Sequence, residues 1–127
     1  MKRTSENNPA DWFALADERL AVADQAFDMA EEVCLTCVEL LHEAAERYLK
    51  GYLISQGWEL TRTHNLRFLV EQAELYETTF AQFGDWGSDL TTQFFAQHYP
   101  GGDLTNVGEN YPELRAVLDK LLHLIPR

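Results

Sequence analysis

Cys34 and Cys37 stand three residues apart, the spacing of a dithiol that can bridge, bind metal or exchange with other thiols. A redox pair of this kind sits at a helix N-terminus, where the dipole lowers the thiol pKa. The apolar periodicity around these two instead places them inside a helix, on its core stripe. Buried, reduced thiols are therefore expected. A structural zinc needs four ligands, and there is no second cysteine pair. Glu39 and His42 form a Glu-x-x-His, which di-iron bundles use to point a carboxylate and an imidazole at one metal pair. Such bundles need the motif twice, but Thr61, Phe95 and Lys120 lie three before His64, His98 and His123. No metal site and no cofactor are expected. The plainer reading is a solvated helix face, with Glu39, Glu43 and Arg47 four apart and Glu46–Lys50 as an i, i+4 ion pair.

Arg62-Thr63-His64-Asn65 puts two potential cations and two hydrogen-bonding side chains before a helix. Free N–H groups at that helix start could hold an anion. Arg47 and Lys50, three apart on the preceding helix, can share a face. Arg47, Lys50, Arg62 and His64 are thus the candidate nucleotide or anion site. The competing reading pairs Arg47 with Glu43 and Lys50 with Glu46. It makes 62–65 a capping turn, with Thr63 or Asn65 as cap and His64 packed on the bundle. His98-Tyr99-Pro100-Gly101-Gly102-Asp103 is either a functional loop or a helix stop followed by a turn. No P-loop, GxSxG or HExxH is present.

The elements that must carry these residues are helical. Asn8-Pro9-Ala10-Asp11 reads as a helix start: a capping Asn, Pro at the first position and an acid in the first turn. Trp12, Phe13, Ala16, Leu20, Ala23 and Phe27 follow at spacings of three and four, giving a helix over about 9–28. A longer one spans about 30–56, with Val33, Cys34, Cys37, Val38, Leu41, Ala44, Ala45, Tyr48, Leu49 and Tyr52 on its broad apolar face. Gly51 lies inside it, where close packing of a neighbour would explain a glycine. A third helix carries Leu66, Leu69, Val70, Ala73 and Tyr76 inward. Gly84–Ser88 reads as a break before a fourth helix over about 88–98, with Leu90, Phe94 and Phe95 inward. Tyr111-Pro112 opens a fifth, with Leu114, Val117, Leu118, Leu121, Leu122 and Ile125 inward. No segment has a strand's period. The expected fold is all-α: an antiparallel up-and-down four-helix bundle with an additional short helix.

The 127 residues form a single domain, 1–127, with residues 1–8 expected to be a flexible N-terminus. The start of the chain has no apolar core of a secretory signal, and no apolar run reaches the roughly 18 residues of a membrane span. A cytoplasmic location and no membrane partner follow as expectations. Net charge is −11, so DNA is not an expected partner: counterion release needs a basic face. Trp12, Phe13, Trp58, Phe80, Phe83, Trp86, Phe94 and Phe95 are more aromatic surface than a thin bundle covers, so a homodimer is expected.

His42-Glu43-Ala44-Ala45-Glu46-Arg47-Tyr48-Leu49-Lys50-Gly51-Tyr52-Leu53 resembles the second helix of the HEPN domain, whose pattern is roughly Gln-x-Ala-Ala-Glu-Lys-x-x-Lys-x-x-Leu. Thr63-His64-Asn65-Leu66 is similar to the Thr-His-Asp-Leu that opens helix 3 in that family. Phe94-Phe95, His98-Tyr99-Pro100 and Asp103 resemble its aromatic pair, Arg-Tyr-Pro and following acid. The resemblance implies a four-helix bundle with a short extra helix, homodimerisation, and association with nucleotidyltransferase-like proteins in toxin–antitoxin or related pairs. It also implies proposed nucleotide binding. Many HEPN proteins are metal-independent ribonucleases carrying an Arg and a His with four to six residues between them. Here Arg115 and His123 have seven between them and Arg62 and His64 have one, while His98 replaces the Arg before Tyr-Pro. Cleavage without metal needs a base for the 2′-OH and a cation for the phosphorane charge. The expected function is therefore a non-catalytic binding module, a homodimer acting with a nucleotidyltransferase-type partner, with a nucleotide as candidate ligand. The alternative is a divergent metal-independent ribonuclease of a toxin–antitoxin pair, with RNA as substrate and His64 or His98 as catalytic residues.

Overall fold

A computed structural model describes residues 3–127. The expectation of a loose N-terminus extends over Met1 and Lys2, which lie outside the described residues. Among the described residues the regular structure is helical throughout: α1 (Pro9–Met29), α2 (Leu35–Ser55), α3 (Leu66–Glu74), a 3-10 segment (Thr78–Phe83), α4 (Gly84–Ala96) and α5 (Tyr111–Leu122). None of these helices is long and apolar enough to cross a membrane.

Asn8 caps α1 as its sequence indicates, its side chain accepting from Ala10 N at 3.1 Å. Ser5 N donates to the buried Asp11 carboxylate at 2.9 Å, and Trp12 Nε1 donates to Glu6 O at 2.8 Å, which folds residues 5–8 back on α1.

α1 and α2 form the principal pair, and they are antiparallel. Phe13 near the start of α1 lies against Gly51 near the end of α2, while Tyr48 OH donates to Asp17 at 2.6 Å. A Cβ on Gly51 would stand 2.7 Å from Phe13 Cε1 and 3.0 Å from Trp12 Cβ. That contact needs the missing side chain, which explains a helix-interior glycine despite its propensity cost of about 1 kcal/mol. α5 runs antiparallel to α1: Tyr111 stacks on Phe27 at 5.0 Å, Arg115 pairs with Asp24 at 2.9 Å and Arg127 with Asp17 at 2.7 Å. α2 is the core element. Leu41, Leu49 and Leu53 are fully buried, and Tyr48 and Tyr52 nearly so. The expected inward faces of α3 and α5 are confirmed at Leu66, Leu69, Val70, Ala73, Leu114, Leu118, Leu121 and Ile125, but not at Tyr76, which lies past the end of α3 and is exposed.

Four expectations are corrected. The chain leaves helical geometry at Ala30 and re-enters it at Leu35, so Val33 and Cys34 precede α2 rather than lie in it. Cys34 is the N-cap and is joined to Cys37 by a disulfide, their Cα atoms 5.3 Å apart, so the two are not the reduced pair expected. The Gly84–Ser88 segment is not a break but the first turn of α4. Gly87 lets α4 cross the start of α3, where a Cβ would lie 3.1 Å from Arg67 N. Finally, most of the aromatics are covered. Phe13, Phe80, Phe83, Trp86 and Phe94 are buried, and of the inward pair on α4 only Phe94 faces the core, with Phe95 49% exposed. The aromatic inventory therefore does not by itself argue for a dimer.

Candidate functional site

One face of α2 carries a buried polar row. His42, Glu46 and Lys50 follow at four-residue steps and are 0%, 7% and 5% exposed. This is not the solvated face expected of the Glu46–Lys50 pair. The pair itself forms, Lys50 Nζ donating to Glu46 Oε2 at 2.9 Å. The other carboxylate oxygen accepts from His64 Nδ1 at 2.8 Å. An ionised carboxylate only accepts, so the Nδ1 of His64 carries the proton and Nε2 is directed elsewhere. Burial pushes the Glu46 carboxyl up, but the bonds from Lys50 and His64 outweigh it and hold the group below its ordinary range.

His64 reaches Glu46 because the chain between α2 and α3 is tightly capped. Thr63 Oγ1 accepts from Asn65 N at 3.1 Å, and Asn65 Oδ1 accepts from Phe68 N at 3.1 Å as the cap of α3. Both residues offered as alternative caps are used. The start of α3 is closed further by Thr91 of α4, whose Oγ1 accepts from Leu66 N at 3.1 Å. An anion at that helix start would meet occupied N–H groups.

Lys50, Arg62, Thr63 and His64 line one cleft of about 280 Å3 together with Trp12 and Leu60. Lys50 Nζ stands 5.9 Å from the centre of the Trp12 ring. Arg62 at its rim donates from Nη2 to both carboxylate oxygens of Glu6, at 2.8 and 3.0 Å. Arg47 does not join this group. It donates to Glu43 O at 3.0 Å and lines a neighbouring cleft with Thr4, Ser5, Glu6, Asp11, Trp12 and Leu15. Three of the four candidate anion ligands are thus brought together and the fourth is turned away. Sequence reasoning missed Glu46 and Trp12 as parts of the same site. The signal for Glu46 was its spacing, four from both His42 and Lys50.

Three histidines surround the Phe94 ring. His42 stacks on it at 4.1 Å, His98 tilts against it at 5.5 Å and His64 at 6.3 Å. Only His64 of these opens into the cleft; His98 lies exposed beside Tyr99 at 4.8 Å. The 98–103 segment ends in a turn, with Asp103 accepting from Thr105 N at 2.9 Å. No arginine contact with either His64 or His98 occurs among the described hydrogen bonds and ion pairs. Arg19, Arg62, Arg67, Arg115 and Arg127 each face a carboxylate. No group of three or more metal-binding side chains forms among the described residues.

His42 is buried against Phe94 with Nε2 3.1 Å from Thr91 Oγ1, and its Nδ1 has no hydrogen-bond partner among the described residues. Burial lowers its pKa to about 4. The unfolded chain binds this proton near pH 6.5 and the folded one only near pH 4. The stability the neutral ring contributes is therefore complete above about pH 6.5 and lost as pH falls toward 4. His42's share of that loss is expected to reach about 2 kcal/mol by pH 5. Urea unfolding at pH 7 and pH 5 measures it. His42→Gln, which keeps a polar group toward Thr91 but does not titrate, is expected to remove that share; an unchanged difference would contradict the assignment.

No curated protein and no solved structure gives a significant match to this chain. A family model, the HEPN domain, matches residues 10–121, from the first turn of α1 to the last turn of α5. With nearly the whole fold covered, including the polar row of α2 and the capped entry to α3, the chain belongs to the HEPN domain family.

Proposed function

We propose that this chain is a non-catalytic binding module of the cytoplasm, a homodimer that acts with a nucleotidyltransferase-type partner and holds a nucleotide in the cleft of Trp12, Lys50, Arg62 and His64. The observation that carries the nucleotide is the convergence of three nitrogen side chains and one indole on a single cleft. Phosphate groups suit Arg62 and Lys50, and a base suits the Trp12 face. Glu46 orients Lys50 and His64 from behind, so the ligand meets side chains already fixed. Family membership supports a nucleotide- or RNA-related role and supports self-association and a protein partner.

Titration of the protein with ATP at low and moderate salt tests this reading. Binding is expected to weaken as salt rises, and Arg62→Ala and His64→Ala are each expected to weaken it several-fold. Light scattering on the same samples is expected to give twice the 14.6 kDa chain mass. No binding at millimolar nucleotide, or binding indifferent to both substitutions, would remove the nucleotide, and a mass of one chain would remove the dimer.

A second reading is favoured by one contact. The Glu46–His64 pair leaves His64 Nε2 free of Glu46, an arrangement that suits a general base. A divergent metal-independent ribonuclease of a toxin–antitoxin pair would use it, with His98 against the same Phe94 ring.

A further inference from the structure

The disulfide at the start of α2 has no part in the cleft described above. It joins Cys34, which is half-buried, to Cys37, which is fully buried in the core cluster with Val38 and Leu41. The residues leading to it, Ala30 to Val33, are all exposed. Cys34 packs against the edge of that cluster and Cys37 lies inside it, so of the two Cys34 is the less enclosed.

The local electrostatics favour the same sulfur. Cys34 is the N-cap of a 21-residue helix, in extended backbone at φ −100° and ψ 100°. Its Sγ accepts the backbone N–H of Cys37 at 3.1 Å. The unpaired N–H groups of a helix's first turn stabilise negative charge, and a thiol placed there ionises more readily. The bond spans a sequence separation of only three. A loop that short restrains the unfolded chain far less than a long one. Beyond the cross-link α2 buries Leu41, Leu49 and Leu53, so the fold is expected to survive its reduction.

We propose that Cys34 and Cys37 form a reversible thiol–disulfide exchange site, with Cys34 as the sulfur that reacts with an external small thiol or dithiol. In the reducing direction a thiolate of the external dithiol attacks Cys34 Sγ. The Cys34–Cys37 bond breaks and its electron pair leaves on Cys37 Sγ, which takes up a proton. The second thiol of the reagent, as thiolate, attacks the reagent's own sulfur in the mixed disulfide and expels Cys34 as thiolate, which is protonated in turn. The protein disulfide gains two electrons, and the reagent ends as a cyclic disulfide. In the oxidising direction the Cys34 thiolate attacks an external disulfide, and Cys37 closes the bond.

The test uses the whole oxidised chain in native buffer with dithiothreitol. Two thiols are expected to appear while the helical circular dichroism stays unchanged. In the reduced protein, sub-stoichiometric iodoacetamide followed by peptide mass mapping is expected to show Cys34 alkylated about tenfold faster than Cys37, or more. Removing the dithiol and adding oxidised glutathione is expected to restore the bond. Cys37→Ser, which keeps the Cys34 sulfur, is expected to hold glutathione as a stable mixed disulfide on Cys34. Reduction that succeeds only in denaturant, loss of helix on reduction, equal alkylation of the two thiols, or no glutathione adduct in Cys37→Ser would each overturn the proposal.

Discussion

Glu46→Ala is expected to destabilise the protein by about 3 kcal/mol, read as a shift in the urea midpoint with an unchanged slope. The carboxylate accepts from Lys50 and His64, and the Lys50 side chain is 6% exposed. Removing the acid leaves an ammonium in the protein with no counter-charge, which costs more than the pair itself is worth. The figure sits at the lower end of the usual range because Lys50 borders the cleft and can turn toward water there. The double variant Glu46→Leu/Lys50→Met separates the two effects. Replacing both charges by apolar groups is expected to recover most of the loss, since a buried ion pair adds little over hydrophobic packing. A double variant as unstable as Glu46→Ala would mean that the polar row is needed for the fold itself.

Leu41→Ala is expected to cost about 2–5 kcal/mol in the same measurement. Leu41 is fully buried in the middle of α2, the helix on which the rest of the bundle packs. Alanine is the better helix former, so the loss isolates packing from propensity. Part of it is transfer of the removed methylenes and part is the cavity left behind. Leu104, 42% exposed in the loop before α5, is the matched control: Leu104→Ala is expected to change stability by less than about 0.5 kcal/mol. Equal costs at the two positions would contradict the burial of α2.

The two residues in Leu41–His42 show what was legible in the sequence and what was not. Helical spacing put Leu41 in the core correctly, because an apolar residue on an apolar stripe has one favourable place. His42 and Glu46 lie on the same inward side, yet their chemistry read as a solvated face. Burying them is acceptable only because Thr91, Lys50 and His64 supply partners, and two of those lie outside α2: Thr91 on α4 and His64 in the connection before α3. Tertiary partners at sequence separations of 18 and 49 leave no local trace. The caps, by contrast, are local: Asn8 and Asn65 were readable because the side chain and the N–H it satisfies lie two or three residues apart.

The glycines split in the same way. Gly51 announced a close approach because it interrupts a long helix pattern, and Phe13 fills the space. Gly84 and Gly87 read as a break because two glycines bracket Asp85-Trp86, a loop-like composition. In the fold Trp86 is buried, its indole N–H donates to Leu114 O at 3.1 Å, and that anchor holds the segment helical. The start of α2 was misplaced for the opposite reason. Glu31, Glu32 and Val33 continue a helical pattern, while extended backbone at Ala30 and Cys34 ends it. That five-residue difference decides whether Cys34 is a core thiol or a helix cap. Of the candidate site, Lys50, Arg62 and His64 were legible as neighbours of one connection, but Arg47 was not legible as an outsider. Its side chain diverges from Lys50 around Trp12, which belongs to α1.

The most direct measurement of the central claim is an RNA turnover assay on the purified chain without added metal. A non-catalytic binding module is expected to leave single-stranded RNA intact, with no difference between the wild type, His64→Ala and His98→Ala. Cleavage by the wild type that disappears in either histidine variant would contradict that account and establish the ribonuclease in its place.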